Sequence, residues 1–204
     1  MRKTHQHRSA LVVLALMLAW LLAWPTASRA QTVAGQARAA QATVTAPLGT
    51  TSTTTLSDTG TLAGTNDARD ASLLTASVPS LLNAEVFSAA SISFSDEVDS
   101  EASLGNLNLT VAGIGITADS VVAQASSVLG MGSMGSSAIS NLSIGGVSVF
   151  VTSGPNQTIA IPGGQVVINE QTIDSTGTIT VNALHVIVTG VADVVIATAV
   201  AGIS

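Results

Sequence analysis

The sequence has no cysteine and no tyrosine, and both tryptophans, Trp20 and Trp24, fall near its start. Lysine occurs once, at Lys3, so residues 31–204 carry no lysine and only two arginines, Arg38 and Arg69. Each absence removes a class of function. Without cysteine there is no disulfide staple, no thiolate for zinc or redox chemistry, and no cysteine for lipid attachment. The only aromatics beyond residue 30 are Phe87, Phe94 and Phe150, which leaves sugar hydrolysis without its usual aromatic platforms. Two arginines against twelve aspartates and glutamates give residues 31–204 a formal charge of −10. Such a surface repels nucleic acid and anionic lipid and has almost no cation to hold a phosphate.

What is present begins with a basic start, Met1 to Arg8, followed by an almost unbroken apolar run from Ser9 to Trp24 and small residues at Ser28 and Ala30. The run is shorter than the roughly 20 residues of a membrane-spanning helix, and the small residues suit signal-peptide cleavage after Ala30. The expectation is a cleaved signal-peptide helix over residues 1–30, with an uncleaved membrane anchor as the alternative. On this reading the protein is secreted, extracellular or on the cell surface, or else periplasmic, with no membrane span after cleavage.

Residues 31–204 suffice for one domain that buries about 70% of its unfolded surface. Gln31 to Gln41 is rich in Ala and Gln and reads as a frayed helical turn or as unstructured. Residues 31–65 as a whole form a Thr/Ser/Gly-rich N-terminal segment, expected to be partly ordered: a strand or two around 43–62, or a linker. The β-domain proper is expected over 66–204. In it Ala90, Ile92 and Phe94 alternate with Ser91, Ser93 and Ser95, the pattern of a half-buried strand. Asp96 to Glu101 reads as a solvated bend, Gly105-Asn106 as a bulge, and Gly130 to Ser137 as a mobile loop. Turns follow at Pro162-Gly163-Gly164 and Asp174 to Gly177. Short strands separated by Gly, Pro, Asn and Asp turns predict an all-β fold, an antiparallel β-sandwich. Apolar residues on both faces of several strands keep a β-solenoid as the alternative.

The elements Asn156-Gln157-Thr158, Pro162-Gly163-Gly164, Val167 to Gln171, Val181 to Val186 and Ala192 to Ala197, with Gly115 to Ala125 upstream, resemble the choice-of-anchor P family of secreted bacterial proteins. The resemblance covers about Ala102 to Ser204. It implies an exported bacterial surface protein of uncharacterised activity and supplies no catalytic residues. No hydrophobic tail, basic cluster or sortase-like motif precedes Ser204, so retention without a covalent anchor is expected.

Beyond the leader the one histidine is His185, between Leu184 and Val186. A serine hydrolase would need it beside a serine and an acid such as Asp193 or Glu170, and no Gly-x-Ser-x-Gly elbow marks that serine. A histidine bonded to a neighbouring strand is the simpler reading. Asn169, Glu170, Asn182 and His185 therefore form an expected structural polar network, since polar groups among apolar residues must find partners. Asp96, Glu97, Asp99 and Glu101 are weak calcium candidates, as are Asn66, Asp67 and Asp70, because hard cations take carboxylate oxygens. Neither set has calcium-loop spacing, and ordinary acidic solubility accounts for both. A strand would place Glu97, Asp99 and Glu101 on one side and Asp96 on the other. No other cofactor is expected. Three glycosylation sequons, at Asn108, Asn141 and Asn156, are treated as chance.

The composition suits a non-enzymatic structural or surface-associated domain whose partner is an envelope or matrix component, or a second copy. The alternative is an adhesive module that binds through a sheet edge or through the glycines around Met131 and Met134. A hydrolase ranks third.

Overall fold

A computed structural model describes residues 31–46 and 49–204; the expected signal peptide lies outside the described residues. Thirteen strands and no helix make up this part of the chain: β1 (Val33–Thr45), β2 (Thr51–Asp58), β3 (Ala68–Val78), β4 (Leu82–Ser93), β5 (Glu97–Val111), β6 (Ile114–Val128), β7 (Gly132–Ser140), β8 (Ser143–Ile144), β9 (Val147–Ser148), β10 (Gln157–Ile161), β11 (Gly164–Ile173), β12 (Ile179–Val188) and β13 (Ala192–Ile203). They form two antiparallel sheets packed face to face. The first has the order β10-β11-β12-β13-β1-β2, and the second β3-β4-β5-β6-β8-β9, with β7 also on β6. This is a β-sandwich, not a solenoid.

Tight turns set the order. Ala112-Gly113 and Gly145-Gly146 have positive φ at both residues, the geometry that two-residue hairpins need to match strand twist. Pro162-Gly163 and the Asp174 turn also lie where the sequence places them. Several strands are much longer than expected; β5 and β6 have 15 residues each.

Three local readings change. Gln31 to Gln41 is neither helical nor loose: from Val33 it is β1, an interior strand held between β13 and β2. Alanine is a poor strand former, but burial between two sheets outweighs that preference. Asp96 to Glu101 is not a bend, because all but Asp96 belong to β5. Gly130 to Ser137 is mostly β7, whose Gly135 lies so close to Val181 that a Cβ there would collide with it.

Both sheets share an irregularity that positions everything else. In the first, the in-and-out alternation changes phase at one level in five neighbouring strands, at Ser57, Ala39, Ala197, Ala183 and Asn169. Ser57, Ala197 and Asn169 have positive φ, and successive residues such as Ala39-Ala40 and Ala183-Leu184 are both buried. In the second sheet the line runs through Leu74, Val86, Asn106, Asp119 and Asn141, with Val86, Asn106 and Asn141 at positive φ. There the doubled residues face outward. The bulge expected at Gly105-Asn106 sits on this second line, where the pairing of β4 with β5 also shifts register.

The core lies between the sheets and rests on Phe87, Leu104, Leu109, Ile116, Ile168, Leu184 and Ile196, all essentially without solvent contact. It includes polar groups. Ser91 and Ser93 face inward, while Ile92 and Phe94 are 37% and 43% exposed, so β4 turns its serines to the core. The reason is close approach: a Cβ at Gly35 would meet Ser91 Oγ at 2.8 Å and Val98 Cγ1 at 2.9 Å, leaving room only for small groups. The hydroxyls are satisfied, with Ser91 Oγ 2.7 Å from Ser100 Oγ, which donates to the Val200 carbonyl of the opposite sheet at 2.7 Å.

Candidate functional site

Two outward surfaces carry the polar residues singled out in the sequence. On the outer face of the first sheet, β11 presents Glu170, β12 presents Asn182 and His185, and β13 presents Asp193 and Thr198. The register pairs Glu170 with Asn182 and Asn182 with Thr198, which lines these side chains up across three strands. Asn182 Nδ2 donates to Glu170 Oε2 at 2.7 Å, and Thr198 Oγ1 donates to Asn182 Oδ1 at 2.8 Å. His185 Nδ1 lies 2.9 Å from the same Glu170 oxygen, and its Nε2 lies 3.0 Å from Asp193 Oδ1.

Both ring nitrogens of His185 thus face carboxylates, and its side chain is largely shielded. That arrangement fixes the ring and joins three strands. Neither ring nitrogen is paired with a serine hydroxyl, the contact that a histidine-activated serine makes. Asn169 stands apart from this group. Its positive φ turns it to the inner face, where it accepts from Gln171 Nε2 at 2.9 Å and donates to the Gly154 carbonyl. Gln171 also donates to the Gly135 carbonyl of the opposite sheet at 3.0 Å. Thr198 and Gln171 escaped the sequence reading, although the alternation in β13 gives Thr198 the same outward phase as Asp193 once the change of phase at Ala197 is known.

The other acids divide into paired and unpaired. Asp58 holds Arg38 at 3.0 Å, and Asp67 holds Arg69 at the same distance. Partial burial pushes the Asp58 carboxyl up, but bonds from Gln36, the Gly60 amide and Arg38 outweigh it and leave it below the ordinary carboxylate range. The Ala63 amide, followed by Arg69, holds Asp67 low. Asp174 is held low by the Thr176 hydroxyl and amide and by the Thr178 amide. The Asn66, Asp67, Asp70 set is therefore divided: Asp67 caps a turn and Asp70 lies on β3.

On the outer face of the second sheet, Glu97, Asp99 and Glu101 follow one another along β5, as strand geometry predicts, while Asp96 sits in the preceding turn. Alternate strand residues stand about 6.8 Å apart, too far for one ion to be shared by the three. Among the described residues no group of three His, Asp or Glu side chains is placed to hold a metal. Asp99 and Glu101 instead lie in a groove of about 460 Å³, bordered by Ile92 of β4 and Met134 of β7 and lined also by Gln124 and Ser126. Gln124 Nε2 donates to Glu101 Oε2 at 2.7 Å. No family model, curated protein or solved structure matches the chain.

Proposed function

We propose that this chain is a secreted, non-enzymatic β-sandwich that serves as a structural domain of the bacterial surface or extracellular matrix, retained there through an open sheet edge. The observation that carries this reading is β3. It ends the second sheet, so eleven residues pair on one side only. Such an edge is a template for another strand, and proteins normally blunt it with charge, proline or brevity. From Ala71 to Val78 this one has no charge and no proline, and it exposes Leu73 by 41% and Leu74 by 83%. The resemblance to choice-of-anchor P proteins and the signal-like leader support export. The carboxylate-bound His185 supports a structural rather than a catalytic role.

The test is fractionation of producing cells into medium, periplasm and envelope, for the wild type and for Ser72→Lys with Leu74→Lys. Both changes lie on the exposed outer side of β3, so the variant should fold and melt no lower than the wild type. Envelope retention of the wild type and release of the variant is the expected result. Free, monomeric wild type in the medium sinks the reading, and so does equal retention of the variant. A chelator wash that releases the wild type would transfer the role to calcium.

A further inference from the structure

We propose that the groove on the outer face of the second sheet binds an extended peptide segment carrying lysine or arginine at alternate positions. The site goes beyond edge-mediated retention: β3 is not part of it, and it needs no strand pairing.

Charge complementarity names the occupant. Asp99 and Glu101 lie in the groove, and Glu97 continues their row along β5. Asp70 and Glu85 face the same side from neighbouring strands, opposite Ala90 and Gly105 respectively. Among the described residues no lysine or arginine faces them. The two arginines of residues 31–204 are committed elsewhere, Arg38 to Asp58 on the other sheet and Arg69 to Asp67 beside its own strand. The outer face of the first sheet differs, because its carboxylates all have side-chain partners there: Arg38 holds Asp58, and His185 bonds both Glu170 and Asp193.

Spacing and shape narrow the class. Carboxylates at alternate positions of β5 repeat every 6.8 Å or so, and an extended peptide repeats its side chains at the same interval. Cations at i and i+2 of such a segment meet successive acids. From β4 to β7 the sheet crosses three strand spacings, about 14 Å, which admits one extended chain between Ile92 and Met134. Met134 is 69% exposed and Ile92 37%, so the borders are apolar surface on which the aliphatic stems of lysine or arginine can lie. Gln124 and Ser126 on the floor provide hydrogen-bonding groups for the peptide backbone.

The experiment is fluorescence anisotropy of labelled Thr-Lys-Val-Lys-Val-Lys-Thr with the purified full chain. A block isomer, Thr-Lys-Lys-Lys-Val-Val-Thr, and spermidine serve as competitors. The alternating peptide should bind best. Asp99→Asn with Glu101→Gln should weaken it about five- to tenfold, as expected for two lost surface ion pairs. Met134→Ser with Ile92→Ser should weaken it at both low and high salt, because the borders act without charge. Leu74→Asn with Ser72→Asn, uncharged changes that disfavour strand addition at β3, should leave binding unchanged, which separates failure here from failure of the edge reading. Equal competition by the isomer or by spermidine overturns the peptide assignment. Unchanged binding after loss of both carboxylates overturns the site.

Discussion

Single side chains in this molecule act mainly by satisfying turns and by fitting between close backbones. Asp174 shows the first role: one carboxylate oxygen takes the Thr176 amide at 2.8 Å, the Thr176 hydroxyl at 2.6 Å and the Thr178 amide at 3.0 Å. These bonds favour the charged form, so folded Asp174 keeps its charge to a lower pH than the unfolded chain does. Below the ordinary carboxylate range, about pH 4, the unfolded state then binds more protons. The stability carried by this turn is complete above that range and drains away as pH falls through it. Asp174→Asn should therefore lower Tm at pH 7 and flatten the loss of Tm between pH 5 and pH 3. Parallel curves for the two proteins would contradict the assignment. The turn was legible in Asp174-Ser175-Thr176-Gly177. The pairing of His185 with two acids was not, because it joins residues from three strands whose register depends on the whole sheet.

At the level of strands, the lines of phase change decide what the sequence could reveal. Away from each line alternation largely holds, as in Leu107, Leu109 and Val111, which all face inward. At the line itself two successive residues face the same way, and pairs such as Ala183-Leu184 and Ile196-Ala197 look apolar on both faces. That doubling suggested a solenoid, and its cause is local backbone geometry. The same geometry permits a comparison. Ala183 and Ala197 sit opposite each other and are fully buried, but only Ala197 has positive φ, at 54°. Replacing either by glycine loses one buried methyl and loosens the unfolded chain equally. Only at Ala197 does glycine also relieve a left-handed backbone, worth roughly 1–2 kcal/mol. Ala183→Gly should thus be the more destabilising by about that amount in denaturant unfolding, and equal losses would mean that Ala197 carries no strain.

Over residues 31–204 taken together, the two outer faces differ in how their acids are held: those of the first sheet are bonded to Arg38 and His185, while the row on the second has no cationic partner among the described residues. A net −10 on residues 31–204 works against the folded state, because compaction brings Asp70, Glu85, Glu97, Asp99, Glu101 and Asp119 onto one sheet surface while the unfolded chain spreads them apart. The attractive pairs cannot offset this, since only Arg38 and Arg69 carry permanent positive charge in that region. Surface ion pairs also contribute little, about 0–1 kcal/mol each. Composition alone predicted the excess of acid, but its gathering on one face comes from the strand order, which sets β5 in the middle of the second sheet. Salt shortens the reach of these charges, from about 30 Å at 0.01 M to about 3 Å at 1 M. Screening should weaken repulsion more than attraction, so Tm at pH 7 should rise with added sodium chloride. Asp99→Asn with Glu101→Gln should raise Tm at low salt and reduce its salt dependence. A Tm that falls with salt would show that ion pairing, not repulsion, governs this surface, and would remove the electrostatic basis for a cationic occupant of the groove.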